Sequence, residues 1–522
     1  MRRTLTIVAV AGAALIMAMS PATSAPRTSA SRPAAVVGRL LPKDFNFDAL
    51  DDLAIGAPGE DVGAIADAGA VTVVYGKDRL PSQTFRQGAG GVAGGAERGD
   101  RFGAAVARGY FNDFNEDGLA DLAVGVPGED VGGVVDAGAV NILYGSAAGL
   151  TGGPLLSESP PRAGAHFGAA LATGDFNGDR RGDLVVAAPD EAVGSAAGAG
   201  QVTVIYGSGD AGVAAGGRVK LRQGAGGVPG QAEPGDHFGA ALASGILDTD
   251  SGYSDLAIGV PGEDVGATAN AGAVNPLAGS AAGLRAGPLL LQGHPEPGDR
   301  FGAALSMAFY KASYNPDLAV GAPGETVGGK VGAGAVSVFS GSARTLGRER
   351  LLYERADPWG VAAGDAFGAA LGWSGVLFSD QIAGNSLIVG IPGRDRFGSE
   401  AGAIYGCGYV SSGVPAGLEC IMYTLQGNGA GAEPGDRFGA AVTGGYFGLS
   451  PLGWHNYDGD GYLDLAVGAP GETVNGQRAA GAVSILYGCC PGPYVIERLI
   501  YQGHDGVGGV SEAGDDFGAA LA

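Results

Sequence analysis

The sequence predicts an all-β fold: a seven-bladed β-propeller of four-stranded blades, closed by the C-terminal strand joining the N-terminal blade. Three observations predict it. The phrase DLAVGAPGE or a close variant starts at Asp52, Asp121, Asp183, Asp255, Asp317, Ser386 and Asp464, a repeat of 62 to 78 residues. A second phrase, FGAAL or FGAAV, also occurs seven times, from Phe102 to Phe517. The chain carries one DLAIG phrase before its first FGAAV and ends on an FGAAL, so a ring that joins the two ends uses both leftovers.

The elements follow in order. FGAAL, DLAVGA and a third phrase such as GAVTVVYG are short, rich in Val, Leu and Ile, and bounded by Gly, Pro and Asp, as strands are. A fourth, weaker strand precedes each QG, as in LRQG before Gly224 and LIYQG before His504. Four strands in each of seven units make a propeller spanning residues 36–522. Val36–Leu41 is a second candidate for the closing strand. With 101 Gly and 28 Pro the chain is turn-rich, while 45% hydrophobic and 16% charged residues exclude a disordered chain.

The N-terminus, MRRTLTIVAVAGAALIMAMSPATSA, sets two arginines before an apolar run and then small residues. This is the layout of a signal peptide within residues 1–30, cleaved after about residue 22 to 30, and the protein is expected to be secreted, extracellular and monomeric. The formal charge of −23 excludes nucleic acid and anionic membrane as partners. Of the four cysteines, Cys407 and Cys420 close a short loop and are the preferred disulfide, with Cys489 and Cys490 left as a vicinal pair or free thiols.

Four units place acidic or amide residues eight, six and four positions before the Asp that starts the DLAVG strand. They are Asp44, Asn46, Asp48 and Asp52; Asp113, Asn115, Asp117 and Asp121; Asp175, Asn177, Asp179 and Asp183; and Asn456, Asp458, Asp460 and Asp464. Alternate residues of a tight loop turn their oxygens inward. The seventh residue, Leu50, Leu119, Arg181 or Tyr462, adds a backbone carbonyl. An all-oxygen cage suits a hard cation, calcium above magnesium, about four ions in all. An EF-hand is excluded because its twelfth position needs Glu and here holds Ile55, Val124, Val186 or Val467. The remaining three units lose the pattern: Asp248 and Asp250 are out of register, the fifth keeps only Asp317, and Ser386 replaces the final Asp in the sixth.

The paired FG and GAP phrases flanking an Asp-rich loop resemble the FG-GAP repeats of the integrin α-chain head, and secreted bacterial proteins built of such repeats are similar. The resemblance implies a seven-bladed propeller, strand–loop–strand calcium sites, and ligand binding on the face opposite them. That face would carry Glu60, Glu129, Glu263, Glu325 and Glu472 of the PGED segments, with Trp359, Arg394 and Arg396 as ligand contacts. The expected function is a non-catalytic extracellular ligand-binding or cell-adhesion module for an unknown protein or glycan. An extracellular hydrolase acting on surface glycans or lipids, or a purely structural surface protein, are the alternatives. Two R-G-D tripeptides, at Arg98 and Arg181, lie inside repeat phrases and read as structural.

Overall fold

The computed structural model describes residues 44–48, 51–76, 80–108, 113–214, 216–247, 252–308, 316–342, 345–352, 360–374, 386–394, 401–409, 418–423, 433–445, 464–486, 497–504 and 506–522. Within them the chain forms seven antiparallel four-stranded sheets. In blades 2 to 7 the strands run in sequence order; blade 2, for example, comprises Ala105–Ala107, Leu122–Val126, Ala139–Tyr144 and Thr151–Ser157. The FGAA phrase leads into the first strand, the DLAVG phrase forms the second and the GAV phrase the third.

Blade 1 is assembled from both ends of the chain. Leu53–Ala57, Ala70–Val74 and Gln83–Phe85 form three strands, and Ala520–Leu521 supplies the first. Ile55 pairs with Leu521 and Gly56 with Ala520. Ala54 and Ala522 exchange two backbone hydrogen bonds of 2.9 and 3.0 Å. The C-terminal strand therefore closes the ring, as expected; residues 36–41 lie outside the described residues.

The DLAVG strands are buried along their whole length, which is why they read as continuous apolar runs rather than alternating ones. Their cores lie between blades. The seven FG phenylalanines are at most 1% exposed. Phe102, leading into blade 2, packs with Val71 and Val73 of blade 1 and Val124 of blade 2, and burying each such ring contributes about 2–3 kcal/mol.

Glycine in the DLAVG phrase has a specific cause. A β-carbon on Gly56 would lie 2.1 Å from the carbonyl oxygen of Gly103, and one on Gly125 would lie 2.0 Å from that of Gly168. Gly259, Gly321, Gly390 and Gly468 meet Gly302, Gly368, Gly439 and Gly518 at 2.0 to 2.1 Å in the same way. In every pair the GAP glycine of one blade faces the FG glycine of the next. Blade 3 alone carries Ala187 at this place, and its β-carbon stands 3.0 Å from a β-carbon built on Gly239.

Two outcomes follow. Gly125→Ala should lower the urea midpoint by an amount corresponding to about 1–3 kcal/mol of overpacking, whereas Gly63→Ala, with nothing within 4 Å but a φ of +69°, should cost only about 1 kcal/mol of backbone strain; equal midpoints for the two would refute the packing argument. Deleting residues 517–522 should expose the amides of Leu53–Ala57 to fast hydrogen exchange before those of Leu122–Val126. Uniform exchange in both strands would show that closure does not hold blade 1.

Candidate metal-binding loops

In blades 2 and 3 the Asp-rich loop joins the first and second strands; in blade 1, whose first strand comes from the C-terminus, it leads into the second strand, so the three described loops lie at the same end of their sheets. Each is built from nested turns. In the second loop Asp113 Oδ1 and Asn115 Oδ1 both accept from the Asp117 amide at 3.0 and 3.1 Å, and Asp113 Oδ2 accepts from Gly118 at 2.9 Å. Asn115 Nδ2 donates to Asp117 Oδ2 at 3.0 Å, and Asp117 Oδ1 accepts from Leu119 at 2.9 Å. The third loop repeats these contacts through Asp175, Asn177 and Asp179, with Arg181 in the place of Leu119. In the first loop Asp44, Asn46 and Asp48 make the same turn. Asx turns of this kind favour the left-handed residues that Phe47, Glu116 and Gly178 supply at φ of 63°, 61° and 76°.

The last Asp of each set is a bracket. Asp52 accepts from Phe45 at 2.7 Å and from Gly76 at 2.9 Å, pinning the loop to the turn between the third and fourth strands. Asp121 does this with Phe114 and Gly145, and Asp183 with Phe176 and Gly207. Asp255 holds Leu247 and Gly279 identically in blade 4, which lacks the rest of the set. This Asp thus has a structural duty that the sequence reading, which treated it only as a ligand, missed; its recurrence in incomplete loops was the available signal.

Burial and then the neighbouring loop carboxylates raise the pKa of these bracket residues. Asp52 and Asp121 are pushed up to about 8, with Asp44 and Asp48, or Asp113 and Asp117, adding repulsion. Asp183 rises to about 7. Three like charges and an amide oxygen directed around one turn are donor chemistry that fits a hard divalent cation. Among the described residues no three acidic, His or Cys side chains are already gathered closely enough to hold a metal. Leu50, Asn456, Asp458, Asp460 and Tyr462 lie outside the described residues; Asp464 is buried at the start of its strand.

The loops also reach across to the next blade. The Phe45 carbonyl accepts from Ser146 at 3.1 Å and that of Phe176 from Ser280 at 3.2 Å. The Asp175 amide donates to Ser254 Oγ at 3.0 Å. Arg181 of the third loop pairs with Glu116 of the second at 2.5 Å.

On the opposite face two expectations are corrected. The PGED glutamates do not stand in solvent: Glu129, Glu263 and Glu472 are buried. Their carboxylates turn into the junctions, where Gln87 donates to Glu129 and Gln223 to Glu263, both at 2.6 Å. Arg394 is not an exposed ligand contact either. It is 2% exposed, because at the junction its guanidinium forms a 2.8 Å ion pair with Asp365 and donates to the Gly360 carbonyl at 2.9 Å. Trp359 and Arg396 lie outside the described residues, as do Cys489 and Cys490. Cys407 is disulfide-bonded, and the ladder sets Cys420 opposite it.

The FG-GAP repeat family matches residues 42–74, 113–143, 167–205 and 453–486. Each matched segment contains one of the four complete Asp-rich loops. The chain carries FG-GAP repeats on a seven-bladed propeller and in this is similar to integrin alpha chains. The chain is 37% identical over 148 residues to phosphatidylinositol-glycan-specific phospholipase D of Mus musculus, covering 28% of this chain and 17% of that one. It is 32% identical over 166 residues to integrin alpha-PS5 of Drosophila melanogaster, covering 29% and 14%. Integrin alpha-PS2 of the same organism matches at 33% over 241 residues, covering 43% and 15%. The FG-GAP chain thus spans less than a fifth of the length of each of these relatives.

Bracket and ligand roles are separable. Asp255→Ala should destabilise the protein by about 1–3 kcal/mol for each amide left without an acceptor, equally with and without calcium. Asp117→Ala, at an exposed turn, should change chelator-treated stability far less. A calcium-dependent loss in Asp255→Ala would refute the bracket.

Proposed function

We propose that this chain is a secreted calcium-binding propeller that acts as a non-catalytic extracellular ligand-binding or adhesion module. The observation that supports it is the three described Asp-Asn-Asp-Asp loops, alike in their turns and at the same end of their blades. Calcium would neutralise the carboxylates that now repel one another. Because the same loops dock on the next blade, neutralising them stiffens the ring and fixes the opposite face, where a protein or glycan ligand would bind. Secretion is supported by the N-terminal layout and by the extracellular setting of integrins. Among the described residues no helix is long and apolar enough to cross a membrane.

Calorimetric titration of the whole chain should give about four calcium ions, one per complete loop. One site should disappear with each of Asp48→Ala, Asp117→Ala, Asp179→Ala and Asp460→Ala, and chelator should lower the melting temperature of the unsubstituted protein. No heat and no change in melting at millimolar calcium would sink the proposal.

A further inference from the structure

Five junctions set two acidic side chains side by side, the Asp buried in all five and the Glu buried in three and half-buried in two. In blades 1, 2, 4, 5 and 7 the amide of the PGE glycine donates to the carbonyl of the Asp in the GDxFG turn at 3.0 to 3.2 Å, which sets the following Glu (Glu60, Glu129, Glu263, Glu325 or Glu472) beside that Asp. These aspartates, Asp515, Asp100, Asp236, Asp299 and Asp436, are at most 1% exposed. The outer strand of the preceding blade adds a glutamine: Gln502 to Glu60, Gln87 to Glu129, Gln223 to Glu263 and Gln292 to Glu325. One amide hydrogen bond does not neutralise two carboxylates. Asp100 Oδ1, Asp299 Oδ1 and Asp436 Oδ1 are buried with no donor, an arrangement that is costly unless something positive is shared.

The two remaining blades show what that something replaces. In blade 6 the Glu position holds Arg394, whose guanidinium binds Asp365 at 2.8 Å. In blade 3 the Asp position is Ala165, and Glu191 instead binds Arg162 at 2.7 Å. Where the second acid is kept, no Lys or Arg among the described residues forms an ion pair with either member.

We propose that each of the five Asp–Glu pairs holds one proton between its carboxyl groups near neutral pH, so that the blade junctions tighten as pH falls and loosen as it rises. The surroundings favour this. Glu60 and Asp515 are faced by Asp61 and Glu512, with Arg86 opposing. Asp100 and Glu129 are faced by Glu97 and Asp130. Asp236 and Glu263 are faced by Glu233 and Asp264, with His237 opposing. Glu296 faces Asp299 and Glu325, and Glu433 faces Asp436 and Glu472. Burial first and these neighbours second push Asp100, Glu263 and Asp515 up to about 7 and Glu472 to about 8. For an acid raised in the folded state, the stabilisation is complete below its unfolded value near 4 and is lost as pH climbs through the folded value. The window therefore runs from about pH 4 to about pH 8.

The test is thermal melting of the full chain in chelator between about pH 5.5 and about pH 8.5, for the unsubstituted protein and a Glu60→Gln, Glu129→Gln, Glu263→Gln triple variant. The melting temperature of the unsubstituted protein should fall as pH rises. The triple variant should lose more than half of the junction contribution to that fall and be the more stable of the two at the alkaline end. Separately, Glu129→Arg copies the blade 6 arrangement and should also flatten the profile. An unchanged slope in the triple variant would overturn the proposal. So would failure of Glu129→Gln to fold, because Gln has the shape and charge of a protonated Glu.

Discussion

The close approach of backbone to backbone across each blade junction is the constraint on which the rest of the structure depends. Six GAP glycines stand where a β-carbon would lie about 2 Å from the carbonyl of an FG glycine in the next blade. With the backbones that near, the valines and the FG phenylalanine on either side interdigitate, and the hydrophobic core divides among the junctions. The repeat phrase is thus a statement about spacing. Its two glycines set how near neighbouring sheets come, and its Phe fills what remains.

Junctions this narrow leave little water for polar groups. The molecule meets that on its two faces in different ways. On the Asp-rich face of blades 1 to 4 one aspartate uses both oxygens to bracket a loop against a turn, as Asp52, Asp121, Asp183 and Asp255 do. On the other face an acid pair is capped by a glutamine from the preceding blade. Acidity on this scale reflects burial more than surface charge, and it places the chemistry of the protein between blades.

Much of this was legible in the sequence, and for a physical reason. Strand identity, blade number and the leftover phrases at both ends depend on local periodicity and on glycine, which carry over from one dimension to three. The Asp-rich loops were legible too, since alternate spacing in a tight turn is a local property, and Asp113, Asn115 and Asp117 do share one turn. The fate of charges was not legible. Arg394 and Glu129 look like surface residues in a PGE or PGR segment, yet the neighbouring blade covers them both.

By itself, then, the sequence determined the propeller, its closure and the residues grouped in each loop, because those follow from repeat period and turn chemistry. Only the tertiary structure decided which carboxylates are buried, which glutamine meets which glutamate, and that Asp255 braces a blade without its full loop set. Those glutamine–glutamate pairings join residues 33 or more positions apart, or the two ends of the chain in the case of Gln502 and Glu60, and their distances are set by how closely one sheet can approach the next.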